Sequence, residues 1–260
     1  MRLLCVGDVF GRPGREALQS TLPALRRSAS LDLVIANGEN SAHGAGLTVT
    51  TAKILFAAGV DVITTGNHVW QRREVLDYLQ REPRVLRPLN YPPGTPGSGS
   101  ALVHPGGVPV LVLNAIGRLF MKPVDDPFRA VDDALAAVGN DVKVVVVDFH
   151  AEATSEKRAM GFYLDGRVSA VVGTHTHVPT ADAQILPNGT AYVTDLGMVG
   201  VRHSVIGLAV EPALAGFTTM LPSHAQPAEG PVDVNAVLVE IDAATGKATS
   251  VQRLDYTVSP

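Results

Sequence analysis

The chain has 260 residues, 46% of them hydrophobic, with a formal net charge of −4. That composition is globular and not disordered, its length suits one α/β domain across residues 1–260, and its charge excludes a broad basic field for duplex nucleic acid. A single cysteine, Cys5, excludes intramolecular disulfides and thiolate metal clusters, so a metal site would have to draw on carboxylates, amides and the eight histidines.

Leu3 to Val6 reads as a buried strand stopped by Gly7-Asp8, and this run is too short for a signal-peptide core. No stretch approaches about 18 uncharged apolar residues, so a soluble, cytoplasmic protein with no membrane partner is expected. Arg15 to Arg27 has helical spacing at Leu18, Leu22 and Leu25, with Pro23 weakening or kinking it. Leu33 to Ala36 is a second strand. Thr48 caps a helix through Ala58 with Gly59 as its stop. Val60 to Thr64 is a third strand, Glu74 to Arg81 a short helix, and Pro88 to Gly99 a loop. Ala101 to His104 and Val108 to Asn114 form a hairpin, followed by a helix from Phe128 to Val138. Val142 to Val147 is a strand buried on both faces. Glu156 to Leu164 is a helix and Val168 to Val172 a strand. Ala183 to Leu186 pairs with Ala191 to Thr194, and Val232 to Ile241 with the run through Val251 and Leu254. Strand–helix alternation followed by hairpins predicts two mixed sheets packed face to face, with helices outside.

Polar residues gather where these strands end: Asp8; Asn37-Gly38-Glu39-Asn40; Gly66-Asn67-His68; Asp148-Phe149-His150; and Gly173-Thr174-His175-Thr176-His177. Each alone reads as a turn or cap residue. Together, at the carboxyl ends of consecutive strands where α/β sheets bind ligands, they predict one metal-competent rim.

The order Gly7-Asp8, Gly38-Glu39-Asn40, Gly66-Asn67-His68, His150 and His175-Thr176-His177 resembles the calcineurin-like metallophosphoesterase superfamily. The resemblance implies an α/β/β/α sandwich. Two departures are visible. Phe10 stands where that family usually has a histidine, and Glu39-Asn40 follows Gly38 where it usually has an aspartate. These departures, with Asn67-His68-Val69-Trp70 and the stretch from His150 to Glu156, are similar to the YmdB-like bacterial branch, which is associated with cyclic-nucleotide phosphodiesterase activity.

The resemblance implies a dinuclear hydrolase in which hydroxide bridging two cations attacks phosphorus. Cations roughly 3.5–4 Å apart acidify a bridging water and neutralise phosphate oxygens. Glu39 is the implied bridging ligand. Asp8, Asn40 and His177 complete one metal; Asn67, His150 and His175 complete the other. His68 is the implied catalytic acid, and because Val69 follows it, its orienting partner must come from elsewhere, with Asp148 and Asp195 as candidates. The all-N/O ligand set with amides favours Fe or Mn, with Zn as an alternative. The substrate is a small phosphodiester, a 2′,3′- or 3′,5′-cyclic nucleotide, and a homo-oligomer is left open. A phosphomonoesterase or nucleotidase is one alternative, and a metal-binding scaffold or sensor without catalysis is another.

Among the other histidines, His104 and His224 read as bystanders. His43 and His203 lie in glycine-rich loops, 41–46 and 197–203, that could touch substrate. Arg12 and Arg202 are candidate phosphate contacts, and Phe10 and Trp70 candidate base-stacking residues, against ordinary surface and core roles.

Overall fold

Buried valine-rich runs alternate with amphipathic segments, and the computed structural model, which describes residues 1–139, 141–222 and 226–259, folds them into layered sheets. The first half contains β1 (Arg2–Val6), β2 (Asp8–Val9), α1 (Gly11–Ser28), β3 (Leu33–Asn37), α2 (Val49–Ala58), β4 (Val62–Thr64) and α3 (Val75–Arg81). The centre contains β5 (Ser100–Val103), β6 (Val110–Ile116), α4 (Pro127–Val138), β7 (Val144–His150), α5 (Thr154–Leu164) and β8 (Ala170–Thr174). Then come β9 (Gln184–Ile185), β10 (Ala191–Val193), β11 (Met198–Val201), α6 (Val210–Thr219), β12 (Val232–Val234), β13 (Ala236–Ile241), β14 (Ala248–Arg253) and β15 (Tyr256–Val258).

One sheet has the order β14-β13-β1-β3-β4 and a second β5-β6-β7-β8-β10-β9. In the first, β1, β3 and β4 run parallel; in the second, β6, β7, β8 and β10 do. Period-two alternation divides their side chains between faces. Leu3, Cys5, Leu33 and Ile35 pack between the sheets against Val110, Val112, Val144 and Val146. The intervening Leu4, Val6, Val34 and Ala36 pack against Leu18 and Leu22 of α1 and Leu55 of α2. On the far side Leu113, Val145, Val147 and Phe149 meet Val131 of α4 and Met160 of α5. These are the α/β/β/α layers that the sequence predicts.

Local signals place several boundaries. The Thr48 hydroxyl accepts from the Thr51 N–H at 3.1 Å to start α2, and Gly59 ends it at φ +109. Three elements depart from expectation. Helix α1 starts at Gly11 and runs through Pro23, because Leu18 and Leu22, both fully buried, outweigh the lost backbone bond. The segment expected as a glycine-rich loop at 197–203 contains β11. This strand pairs with β2 and β12 in a third sheet, β15-β12-β11-β2, so tertiary pairing overrides the glycine punctuation. Helix α6 has no counterpart in the sequence reading; its apolar positions Val210, Ala213, Leu214 and Phe217 share one face, yet of its residues only Ala213 is buried. Among the described residues no helix is long and apolar enough to cross a membrane.

Candidate metal centre

The carboxyl ends of the two packed sheets meet at one rim. Asp8 opens β2, held in register by Met198 of β11. Beyond β3, Asn37 Oδ1 accepts the Glu39 N–H at 3.1 Å, turning Glu39 and Asn40 into the interior. Gly66 follows β4, and a Cβ there would collide with Cδ2 of His150, so only glycine lets this ring approach. His150 is the last residue of β7. His175 and His177 follow β8 with φ values of +104 and +65, backbone that side-chain-bearing residues seldom adopt. Their loop is tied down by Asp8 Oδ2, which accepts the His175 N–H at 3.1 Å, and by Asp195 Oδ2, which accepts the Thr176 N–H at 3.1 Å.

All seven ligand candidates from the sequence come together. Nε2 of His150 has Asn67 Oδ1 at 2.8 Å, Glu39 Oε1 at 3.0 Å and His175 Nδ1 at 3.1 Å. Its Nδ1 faces the Thr174 hydroxyl at 2.9 Å, and that hydroxyl donates to Asp148 Oδ1 at 2.7 Å. His150 therefore donates through Nδ1 to Thr174. His175 Nε2 lies 3.1 Å from Glu152, leaving Nδ1 as a lone pair turned toward His150. A second group lies alongside. His177 Nδ1 donates to the Ile206 carbonyl at 2.9 Å, so its Nε2 lone pair faces the Asn40 amide at 2.9 Å and Asp8 Oδ1 at 3.7 Å.

This arrangement is poorly satisfied by protons alone. Three acceptor atoms surround the single Nε2 position of His150, which can serve one of them well. Asp8 Oδ1 and Glu39 Oε1 are buried without a hydrogen bond of good geometry. Unpaired buried carboxylate oxygens are costly, and a cation coordinated by such N/O donors removes the cost. The residues present fit a metal, and Glu39, His150 and His175 by themselves bring three ligand atoms within 4.8 Å of one another.

The electrostatics point the same way. Burial pushes the Asp8 carboxyl up to about 6, against the pull of His177 and His150. Burial also acts to raise Glu39, but the charges of His150 and His68 and the His68 N–H hold it at about 2. Burial opposes charging His150, yet Glu39, Asp8 and Asp148 lift it to about 9. Burial and the neighbouring His150 charge push His175 down to about 3.

His68 stands at the edge of this group, half-buried. Its N–H donates to Glu39 Oε2 at 2.9 Å and its Nδ1 lies 2.7 Å from Asn40 Oδ1. Its Nε2 makes no hydrogen bond among the described residues. Burial lowers its pKa, with His150, His177 and Lys122 acting in the same direction and Glu39 opposing. Neither carboxylate suggested as its orienting partner reaches it. Asp148 accepts from Thr64 and Thr174, and Asp195 pairs with Lys157 Nζ at 2.6 Å. The side chain beside His68 Nδ1 is Asn40, because the turn after β3 delivers it there.

The remaining candidates contribute no atom to this ligand group among the described residues. His43, His104 and His203 are exposed, and His224 lies outside the described residues. Arg12 pairs with Glu16 and Arg202 with Asp233 on the surface. Phe10 is buried edge-on to His177, 5.6 Å between centroids, and Trp70 packs edge-on to Tyr91. A surface groove of about 640 Å³ along α1, lined by Arg12, Glu16 and Glu229, shares no residue with the centre. Sequence reasoning gave no role of their own to Asn37, Thr174 and Glu152, which stand within its motifs, and missed Lys157. Lys157 had a legible signal, because it shares the helical face of Met160, Gly161 and Leu164, all buried.

The profile of a family described as YmdB-like protein matches residues 4–254. The chain is 45% identical over 254 residues, 98% of its length and 96% of the other's, to the 2′,3′-cyclic-nucleotide 2′-phosphodiesterase of Bacillus subtilis (strain 168). The solved structure of a hypothetical protein from Thermus thermophilus matches with a TM-score of 0.93 and 46% identity over 100% of both chains. The crystal structure of a novel phosphatase from Mycoplasma pneumoniae also gives 0.93, at 34% identity over 99% of this chain and 93% of that one.

Proposed function

The chain belongs to the YmdB-like protein family, and from that membership we propose a dinuclear, metal-dependent phosphodiesterase acting on small cyclic phosphodiesters, 2′,3′-cyclic nucleotides foremost. The observation that carries this reading is the convergence of Glu39, Asn67 and His175 on His150 Nε2, where Asp8 Oδ1 and Glu39 Oε1 are buried without a hydrogen bond of good geometry. Asn67, His150 and His175 would hold one cation, and Asp8, Asn40 and His177 the other, with Glu39 between them. Bound divalent cations neutralise the diester oxygens and provide a hydroxide nucleophile at neutral pH. The amide and carboxylate oxygens in the set favour six-coordinate Fe or Mn over Zn. The reading also carries a cytoplasmic location.

His68 supplies what the ligands do not. Turned over, the Asn40 amide keeps its position, directs its oxygen toward His177 and places its NH2 beside His68 Nδ1. The His68 proton is then held on Nε2, the free edge, ready for a leaving oxygen. Such a positioned donor contributes typically about 10²–10⁴-fold. The buried sheet ends around the ligands exclude bulk water from the remaining sides.

The test is the His68→Ala variant, with metal content measured by elemental analysis and by anomalous scattering at the Fe and Mn edges. The expected result is full metal content with turnover of 2′,3′-cyclic AMP and bis(p-nitrophenyl) phosphate reduced at least about 10²-fold. Full activity in the variant, or wild-type protein that takes up no metal, overturns the reading. Rates on mono- and diesters of one alcohol separate it from a phosphomonoesterase.

A further inference from the structure

The loop that follows β6 is built with more care than its exposed tip requires for folding. Ile116 pairs in register with His150, and the Gly117 N–H donates to the His150 carbonyl at 2.9 Å, so the loop leaves the rim beside a ligand candidate. Its ends are clamped by buried Asn90. The Asn90 amide accepts the Ile116 N–H at 2.9 Å and donates to the carbonyls of Ile116 and Asp125, each at 2.8 Å. Its near side is held by buried Glu156, which accepts the N–H groups of Arg118 at 2.9 Å and Leu119 at 3.2 Å. A Cβ at Gly117 would lie 2.5 Å from Glu156 Oε2, so this side chain fits closely under the loop.

At the tip stands Phe120, 90% exposed, with φ +61. It belongs to no aromatic pair among the described residues. Two positions on stands Lys122, whose charge is among those that lower the His68 pKa. A loop rooted beside His150 at the rim thus carries an open aromatic face and, two positions on, a cation. This is the pairing that recognises a base linked to a phosphate, since every nucleobase presents a π-face and the phosphate is anionic.

We propose that Phe120 is a specificity-determining residue that stacks on the nucleobase of the substrate, while Asn90 and Glu156 hold its loop in place. This rests on the phosphodiesterase reading above and extends it by assigning the part of the substrate that the metal centre does not touch.

The experiment compares two substrates with the same reacting group. One is 2′,3′-cyclic AMP; the other is methyl β-riboside 2′,3′-cyclic phosphate, which lacks a base. In the metal-loaded enzyme, Phe120→Ala is expected to raise KM for the nucleotide about tenfold and leave the riboside unchanged, and Phe120→Tyr to retain the wild-type value. In parallel, Phe120→Trp is titrated with adenosine 3′-monophosphate, with wild type as the background for Trp70. Stacking quenches the added fluorescence, and inorganic phosphate does not. Equal losses on both substrates, no loss on either, or no quenching overturns the proposal. So does a change of sedimentation coefficient in Phe120→Ala, which would assign the ring to contact between copies. Wild-type protein that hydrolyses neither compound sinks the phosphodiesterase reading instead, and the fluorescence titration then decides the stacking site by itself.

Discussion

Lys157 Nζ lies 2.6 Å from Asp195 Oδ2, and both side chains are only 1% exposed. The pair sits behind the ligand loop, not within it. Asp195 also accepts the N–H groups of Thr176 at 3.1 Å and Gly197 at 2.8 Å, so it fixes the left-handed backbone of His175 and His177. Lys157→Met leaves a buried carboxylate unpaired and is expected to destabilise the fold by about 3–5 kcal/mol. Adding Asp195→Asn removes that stranded charge and recovers part of the loss. Chemical denaturation of the three proteins measures both effects. Equal stability of the single and double variants would remove the ion pair from this account.

Gly66 faces the His150 ring so closely that a methyl group must displace it. Gly66→Ala is expected to cost about 1–3 kcal/mol through overpacking. The same displacement moves Nε2 away from Glu39 and Asn67, so metal affinity falls alongside stability. Thermal unfolding and titration calorimetry check the two, and an unchanged metal affinity would contradict the placement of His150.

His150 sets a pH dependence. Its pKa rises from 6.5 to about 9 in the folded, metal-free protein, so its proton stabilises the fold. That contribution is full below pH 6.5 and is lost as pH rises through about 9. A cation must displace the Nε2 proton, so apparent metal affinity should rise roughly tenfold per pH unit up to about 9 and then level. Calorimetry at pH 7.5 in two buffers of different ionisation enthalpy should count about one proton released per cation bound at His150. A pH-independent affinity would exclude His150 as a ligand.

Asn40 is given two duties, an oxygen for metal and an NH2 for His68, and one substitution separates them. Asn40→Asp keeps an oxygen ligand but loses the donor facing His68 Nδ1. Metal content should remain while kcat drops about 10²-fold. Asn40→Ala should lose metal as well. If Asn40→Asp retains wild-type kcat, the amide does not orient His68.

Much of this protein is legible without coordinates. Unbroken apolar runs at Leu3–Val6, Leu33–Ala36 and Val144–Val147 dictate strands buried on both faces, because side chains of period two then fill the core on each side. Thr48 and Gly59 mark α2 by local hydrogen bonding and φ, which need no partner. Short metal-competent motifs at strand ends point to the rim for the same reason: chain direction fixes which end of a parallel strand carries them. Other features depend on distant residues. The strand at 198–201 exists because β2 and β12 pair with it, and glycines hide its propensity. Asn40, not Asp148 or Asp195, stands beside His68, because the Asn37-bound turn and the packing of two sheets decide which side chains meet. The Lys157–Asp195 pair spans 38 residues, and only burial makes it strong enough to hold a loop. Sequence by itself determined which groups are available and the strand ends that carry them. Their distances, protons and unpaired oxygens were decided by the meeting of two sheets, since low dielectric and close approach arise only when the core is formed.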